Sequence, residues 1–375
     1  MFFRQVFDPG LAQYAYLIGC EETGEALVLD PERDVDRYLE AAREEGLRLV
    51  AAAETHVHAD FLSGCRELAD RGCTVYLSDE GGEAWRYRWP EATGADVVLL
   101  EDGDVFRVGS VELRALHTPG HTPEHLGFLV TDRGGGADRP MGIASGDFLF
   151  VGSLGRPDLL ERAAGEVGAM RPAAEALYAS LDRLLELDDW LQVWPGHGAG
   201  SACGKGLGSV PESTLGYERR FNPSIAAARR GRDAFVESIL ADQPDPPLYF
   251  ARMKRLNRDG PPPLGELPDP RRLAPEELAE LAGGAVQLLD ARADRSAFMA
   301  AHLRGSLYAS LEEDFATVAG SYLDPDRPVV LVVDEADRDE AVRTLVRVGI
   351  DRIEGWATPG SLDALAGERA AGEEA

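Results

Sequence analysis

Four short apolar stretches of this chain each run directly into histidine or aspartate side chains. They are ETHVHAD at 54–60, LHTPGHTPEH at 116–125, ASGDFLF at 144–150 and VWPGHG at 193–198. Six of the seven histidines in the sequence fall in these segments. Loops at strand ends are where a rigid scaffold presents functional groups. The pattern therefore predicts a metal site built on the ends of several strands.

The first of these segments has an unusual continuation. His56, His58 and Asp60 are spaced as metal ligands often are, but the next residue, where another ligand could lie, is Phe61. A phenyl ring cannot coordinate a metal, and it makes this position apolar. The later segments add His121, Asp147 and His197 as candidate ligands, and we expect His117 and His125 to be hydrogen-bonding loop residues.

The pattern of apolar runs and turns indicates two domains. Up to residue 256, strand-length runs separated by glycine-containing turns alternate with helical segments, which predicts two packed sheets covered by helices. Residues 257–272 are rich in proline and glycine and are predicted to be a linker. Residues 273–375 repeat the order helix, short apolar strand, helix, which predicts a small α/β domain.

Charge and composition exclude several classes of partner. The formal net charge is -28, whereas nucleic acids and anionic membranes select basic surfaces. The first residues lack the pattern of a secretory signal, and no later run is long and apolar enough to span a bilayer. The four cysteines form no disulfide framework and no zinc-ribbon spacing. We therefore expect a cytoplasmic protein that binds neither nucleic acid nor membrane.

These motifs resemble the metallo-β-lactamase superfamily over roughly residues 1–256, with its His-x-His-x-Asp-His run and later His, Asp and His. The resemblance implies an αββα sandwich. The superfamily by itself suggests a two-metal hydrolase of the glyoxalase II type. Phe61 departs from that pattern, because the second metal normally takes a ligand from this position.

Within the superfamily, the chain is similar to the persulfide dioxygenases, of the ethylmalonic-encephalopathy-protein type. The stretches FVGSLGRPDLL, STLGYERRFNP and PPLYFARMKRLNRDG carry this resemblance. It implies one Fe(II) per chain, held by His56, His121 and Asp147. Two histidines and one carboxylate leave open positions on iron for a thiol persulfide and O2. The expected products are sulfite and the free thiol, with glutathione persulfide as the family's usual substrate.

The same resemblance suggests roles for five further residues. His58, Asp60 and His197 become residues that orient the ligands or border the substrate. Arg156 and Arg219 are candidates for holding the carboxylates of a glutathione-like thiol, because guanidinium groups bind carboxylates through two hydrogen bonds. Arg156 precedes Pro157 and Asp158, so a structural salt bridge within a turn is an open alternative for it.

The second domain resembles a rhodanese, with a loose match at Asp290, Arg292, His302, Gly305 and Ser306. Asp334 stands where an active rhodanese has its cysteine, and no cysteine follows Cys203. Without that nucleophile the domain cannot transfer sulfur. We expect an inactive module that docks on the first domain, mediates homodimer contacts or binds a partner.

Two other functions stay open from the sequence. A thioester hydrolase of the glyoxalase II type would bind two metals and cleave acyl-glutathione without oxygen. A non-catalytic sulfur-binding or regulatory protein would fit the inactive second domain. The combination of His56, His121 and Asp147 argues against the non-catalytic alternative.

Overall fold

The computed structural model describes residues 1–281, 284, 286–312 and 314–362. The chain divides into two compact units, Met1–Pro263 and Leu264–Ala375, and this division falls inside the proline-rich stretch 257–272. Among the described residues, no helix combines the length and apolar character needed to cross a membrane.

The first sheet of the larger unit has six strands in chain order. They are β1 (Phe2–Asp8), β2 (Gln13–Cys20), β3 (Glu25–Leu29), β4 (Arg48–Ala53), β5 (Thr74–Ser78) and β6 (Val97–Leu100). The pairs β1–β2 and β2–β3 are antiparallel, whereas β3 to β6 pair in parallel. Helices α1 (Asp36–Glu44), α2 (Cys65–Asp70) and α3 (Trp89–Thr93) connect the parallel strands.

The second sheet also has six strands, in the order β14-β13-β10-β9-β8-β7. They are β7 (Val105–Val108), β8 (Val111–His117), β9 (Leu126–Asp132), β10 (Gly142–Gly146), β13 (Gln192–Pro195) and β14 (Ser213–Thr214). A small ribbon, β11 (Leu149–Phe150) and β12 (Ser153–Leu154), follows β10. The accompanying helices are α4 (Leu159–Arg162), α5 (Met170–Leu184), α6 (Leu215–Phe221), α7 (Pro223–Ala228), α8 (Arg232–Leu240) and α9 (Phe250–Asp259).

Strand β2 shows why both faces of the first sheet are covered. All eight of its residues are buried, and successive side chains of a strand point to opposite faces. Ala15 and Leu17 pack in one core with Tyr38 of α1, whereas Tyr16 and Ile18 pack in another with residues of the second sheet.

The outer face of the second sheet has its own core. Ile143 of β10 and Val193 of β13 pack there against Leu177 and Leu181 of α5. The layers are therefore helices, sheet, sheet, helices, and the predicted αββα sandwich is confirmed.

The smaller unit is built on a five-stranded sheet in which every pair is parallel, in the order β15-β19-β18-β16-β17. Its strands are β15 (Arg271–Arg272), β16 (Gln287–Asp290), β17 (Leu307–Tyr308), β18 (Val329–Val332) and β19 (Ile353–Ala357). Its helices are α10 (Pro275–Leu281), α11 (Arg295–Ala300), α12 (Phe315–Tyr322) and α13 (Arg338–Arg347). Strand β15 lies within the stretch predicted to be linker, and α9 of the larger unit also extends three residues into it.

Candidate metal centre

The four histidine and aspartate segments meet because the strands before them end at the same edges. His56 and His58 follow β4, the loop with His121 follows β8, Asp147 follows β10, and His197 follows β13. Strands β8 and β10 are both antiparallel to β9, and β13 is parallel to β10, so all three run in the same direction. The carboxyl ends of these strands therefore present their loops together.

One group of side chains has the geometry of a metal site. His56, His121 and Asp147 are all buried, and one ligand atom from each lies within 4.8 Å of the other two. Asp147 Oδ2 is 3.9 Å from His56 Nε2 and 3.5 Å from His121 Nε2. The prediction that His56, His121 and Asp147 would come together therefore matches their positions in the structure.

Unpaired polar atoms support metal binding at this place. His56 Nε2 and Asp147 Oδ2 are buried and have no hydrogen-bond partner in the protein. A buried polar atom without a partner costs roughly 1–3 kcal/mol, more for a charged group. A metal ion bound by two imidazoles and a carboxylate would satisfy both atoms. The donor set therefore fits a divalent metal.

The tautomer of His56 is fixed by a relay that starts at Asp30. The hydroxyl group of Thr55 donates to Asp30 Oδ2 (2.9 Å), which leaves its oxygen to accept a hydrogen bond from His56 Nδ1 (2.9 Å). The backbone N–H of Thr55 donates to the other carboxylate oxygen of Asp30 (2.7 Å). With the proton on Nδ1, His56 Nε2 keeps its lone pair for a metal.

His125 positions Asp147 through the backbone. The backbone N–H of Asp147 donates to His125 Nε2 (3.0 Å), so His125 carries its proton on Nδ1 and donates it to Thr118 Oγ1 (2.8 Å). His125 is fully buried, and burial lowers its pKa to about 3, which keeps the ring neutral. His125 therefore has the hydrogen-bonding role that we expected.

His197 lies between two carboxylates. Its Nδ1 is 2.7 Å from Asp147 Oδ1, and its Nε2 is 2.7 Å from Asp60 Oδ2. Burial opposes the charged form, but Asp147 and Asp60 outweigh it and raise the pKa of His197 well above its ordinary value. The protonated ring donates to Asp147 Oδ1, so this carboxylate has one oxygen held and Oδ2 free for a metal.

His58 is paired with Asp30 and is not part of the group of His56, His121 and Asp147. Its Nε2 is 3.0 Å from Asp30 Oδ1, and its ring packs on Phe61 with centroids 4.3 Å apart. Burial disfavours protonation of His58, but the Asp30 carboxylate outweighs it and raises its pKa to about 9. Phe61 itself is fully buried. A histidine–aspartate pair and an aromatic ring thus stand beside the metal group.

Two residues near the end of the larger unit bond to the backbone of the loop that contains His58, Asp60 and Phe61. The sequence motifs did not identify these two residues. Asn257 Nδ2 donates to the carbonyls of His58 (2.8 Å) and Phe61 (2.7 Å). The hydroxyl group of Tyr249 donates to the carbonyl of Asp60 (2.9 Å). The only signal for them was their place in the stretch PPLYFARMKRLNRDG. The final helix of this unit thus supports the histidine loop.

A second group of possible ligands lies next to the first. One ligand atom each from Asp60, His197 and Cys203 lies within 4.8 Å of the others, and all three residues are buried. Burial raises the pKa of the Cys203 thiol well above its ordinary value, which favours the neutral thiol. In this group both nitrogens of His197 are already engaged by carboxylates.

Arg156 does not have the exposure that contact with a substrate requires. Its side chain is 0% exposed and forms a salt bridge with Asp158 (2.7 Å). It also donates to the carbonyls of Ala202 and Pro244. The salt bridge that the sequence left open for Arg156 is therefore present in the structure, and its predicted substrate contact stays a prediction.

Arg219 is engaged in the same way. Its guanidinium group contacts the Asp189 carboxylate and donates to the carbonyls of Leu185 and Leu187 at the end of α5. These bonds tie α6 to the segment after α5. Its role in holding a substrate carboxylate stays a prediction, and the contacts seen in the structure are with protein groups.

Comparison with known proteins gives the family. The profile of the metallo-beta-lactamase superfamily matches residues 8–197. A crystal structure described as a metallo-beta-lactamase from Staphylococcus aureus subsp. aureus COL is 37% identical, with a TM-score of 0.84 over 96% of this chain and 99% of that chain.

Two curated relatives have different activities. The persulfide dioxygenase ETHE1, mitochondrial, of Bos taurus is 29% identical over 59% of this chain and 75% of its own length. A hydroxyacylglutathione hydrolase of Methylococcus capsulatus is 31% identical over 61% of this chain and 79% of its own length. The similarity to the two is comparable, so it does not choose between their reactions. With half of its length matched by the family profile, the chain belongs to the metallo-beta-lactamase superfamily.

Proposed function

We propose that this chain is a persulfide dioxygenase with one Fe(II), held by His56, His121 and Asp147. The observation that carries the proposal is that His56 Nε2 and Asp147 Oδ2 are unpaired and grouped with His121, beside a buried Phe61. Two histidines and one carboxylate suit non-haem iron, whereas zinc offers no redox chemistry. The relative described as persulfide dioxygenase ETHE1 supports this choice.

The proposed reaction converts a thiol persulfide, O2 and water into the free thiol and sulfite. Iron bound at this site would supply the coordination of the persulfide sulfur and dioxygen and the electron transfer between them. The protein residues hold the ligands in place. Thr55 keeps the proton of His56 on Nδ1, and His197 holds one oxygen of Asp147 so that the other points to the metal.

A second candidate is hydrolysis of an acyl-glutathione thioester by a two-metal centre. The cluster of Asp60, His197 and Cys203 favours it, because these side chains could hold a second ion. The hydroxyacylglutathione hydrolase among the relatives gives it further support. Against it, both His197 nitrogens already have carboxylate partners, and Phe61 offers no ligand.

We also propose that the smaller unit is a rhodanese-like module without sulfur-transfer activity. Its parallel five-stranded sheet and the Asp290–Arg292 ion pair (2.8 Å) are consistent with the sequence resemblance. Asp334 provides no nucleophile. We further propose that this module docks on the larger unit, mediates homodimer contacts or binds another partner. We also propose a cytoplasmic location for the protein.

The experiment that tests the activity uses the full chain loaded anaerobically with Fe(II). Oxygen uptake and sulfite are measured with glutathione persulfide and cysteine persulfide, and bound metal is counted. We expect uptake matched by sulfite at one iron per chain. Two bound metals, cleavage of S-lactoylglutathione and no oxygen uptake would instead establish the hydrolase.

A further inference from the structure

A narrow cavity beside the metal centre has one lysine in its wall. It is lined by the metal-site residue His121, by apolar side chains that include Trp85, Leu160 and Phe250, and by Lys254. Its free space is about 20 Å³, which accommodates little more than one water molecule. A substrate that uses this cavity must therefore displace a group that now closes it.

The lysine in the cavity wall forms an ion pair with Glu166, which is the group that we infer a substrate would displace. Lys254 Nζ lies 3.1 Å from Glu166 Oε1 and 3.3 Å from the centroid of the Trp85 ring. The lysine side chain is only 14% exposed, whereas that of Glu166 is 38% exposed. Burial lowers the pKa of Lys254, and the Glu166 carboxylate opposes this. The ammonium group is thus partly desolvated and depends on a carboxylate partner.

Glu166 also borders an outer groove. This groove, of about 270 Å³, is lined by Glu166 and Leu160 together with apolar residues such as Pro119 and Pro172. Leu160 lines both the groove and the cavity. The ion pair therefore lies between an accessible groove and the space next to His121.

The charge balance favours an incoming carboxylate. A ligand carboxylate that replaces Glu166 on Lys254 keeps the ammonium paired and returns the glutamate to solvent. Among the described residues that line the cavity, Lys254 is the only lysine or arginine. The arginines Arg156 and Arg219 bind protein carbonyls and carboxylates and are not available. The chain has only two lysines, so the position of this one is distinctive.

We propose that Lys254 determines substrate specificity by binding the carboxylate of a compact thiol persulfide in place of Glu166. The sulfur end of the substrate then faces His121 and the metal, and the apolar wall covers its short carbon chain. This inference rests on the proposed dioxygenase function. It assigns the substrate class as a small carboxylate-bearing persulfide, and a neutral persulfide of the same size would bind more weakly.

The test compares two small persulfides on the iron-loaded full chain. The persulfide of 3-mercaptopropionate carries the carboxylate, and that of 2-mercaptoethanol is a neutral compound of similar size. Lys254→Met removes the charge and keeps an unbranched side chain one atom shorter, and Lys205→Met is the matched control on the other lysine. Glu166→Gln removes the carboxylate charge that pairs with Lys254, while the glutamine side chain has nearly the same shape as the glutamate.

We expect Lys254→Met to raise KM for the carboxylate persulfide about tenfold or more, with kcat nearly unchanged. KM for the neutral persulfide should change less than about twofold, as should both constants in Lys205→Met. Glu166→Gln should lower KM for the carboxylate persulfide about two- to fivefold. Equal effects of Lys254→Met on both persulfides, or none on either, would overturn the proposal. If Lys254→Met does not fold, Glu166→Gln decides.

Direct binding separates this inference from the activity. Calorimetry under nitrogen measures the affinity of 3-mercaptopropionate and 2-mercaptoethanol for the wild type and the variants. If no persulfide is oxidised, the dioxygenase proposal fails, but tighter binding of the carboxylate thiol that Lys254→Met abolishes would still support the Lys254 site. Equal affinity of the two thiols for the wild type would rule it out.

Discussion

Two neighbouring groups of buried residues have similar spacing but differ in how their atoms are paired. In the group of His56, His121 and Asp147, His56 Nε2 and Asp147 Oδ2 have no partner in the protein. In the group of Asp60, His197 and Cys203, the histidine bonds to a carboxylate on each side, and only Asp60 Oδ1 is left unpaired. Proximity alone therefore does not distinguish the two groups, whereas the pairing of their atoms does, because two of the three residues in the first group have an unpaired ligand atom that a metal could satisfy.

The largest loss of activity should come from replacing Asp147, which belongs to the first group and contacts His197 of the second. Asp147→Asn is expected to reduce activity more than about 100-fold, because changes to residues around a metal already cost 10–100-fold. Bound metal, counted by atomic absorption, should fall well below one per chain. Asp188→Asn, an exposed aspartate paired with Arg139, is the control and should retain both. Full metal content in Asp147→Asn would refute its role as ligand.

A smaller effect is expected at Asp30, which positions His56 and contacts no metal. Asp30→Asn replaces one of the two acceptor oxygens with an amide N–H donor and removes the negative charge that pairs with His58, so we expect metal affinity to fall about 10–100-fold. Chelator competition measures this affinity. Since Asp30 acts through Thr55, Thr55→Val should produce a loss of the same size. Unchanged affinity in both variants would mean that the relay does not orient His56.

Glu124 shows what a buried unpaired carboxylate does when a proton satisfies it. Its Oε2 has no partner, and burial raises its pKa to about 7. The folded state therefore holds a proton that the unfolded chain releases above pH 4.5, so this group's contribution to stability falls as pH rises from about 4.5 to 7. In the wild type this loss should amount to about 3 kcal/mol of unfolding free energy, and it should be absent in Glu124→Gln.

Urea unfolding of the metal-free protein at several pH values measures this effect. The difference in unfolding free energy between wild type and Glu124→Gln should change between pH 4.5 and 7 and stay constant above pH 7. A constant difference throughout would show that Glu124 is ionised in the folded protein.

The smallest effect is expected at Cys203. If the second group holds no metal, Cys203→Ala leaves the metal count at one per chain and the affinity within about twofold. The cobalt-loaded wild type should also lack a thiolate-to-metal absorption band near the ultraviolet. A count that falls from two to one would support the two-metal alternative.

The sequence was sufficient to place the candidate ligands in loops at the ends of strands. His56, His121, Asp147 and His197 each follow an apolar run, and strand ends are where such residues meet. The first strand, β1, was not predicted. Its seven residues are mostly only half-buried, because its main support is pairing with β2, which a local pattern does not show.

Roles that depend on distant partners were not predictable. The motif around Arg156 predicts a substrate contact, but in the structure its guanidinium group bonds to Asp158 and to the carbonyls of Ala202 and Pro244. Asn257 supports a loop almost 200 residues earlier in the chain. Hydrogen bonds of this kind depend on which segments the fold brings together, and sequence spacing carries no record of them.

The sequence by itself determined the layered fold, the candidate metal ligands and the absence of a cysteine nucleophile in the second unit, because these follow from local periodicity and from the chemistry of side chains. Only the tertiary structure decided which donors stay unpaired, which protein groups the two candidate arginines contact, and that Lys254 lines a cavity with His121. Each of these depends on burial and pairing, which are properties of atoms that the folded chain brings together from distant positions.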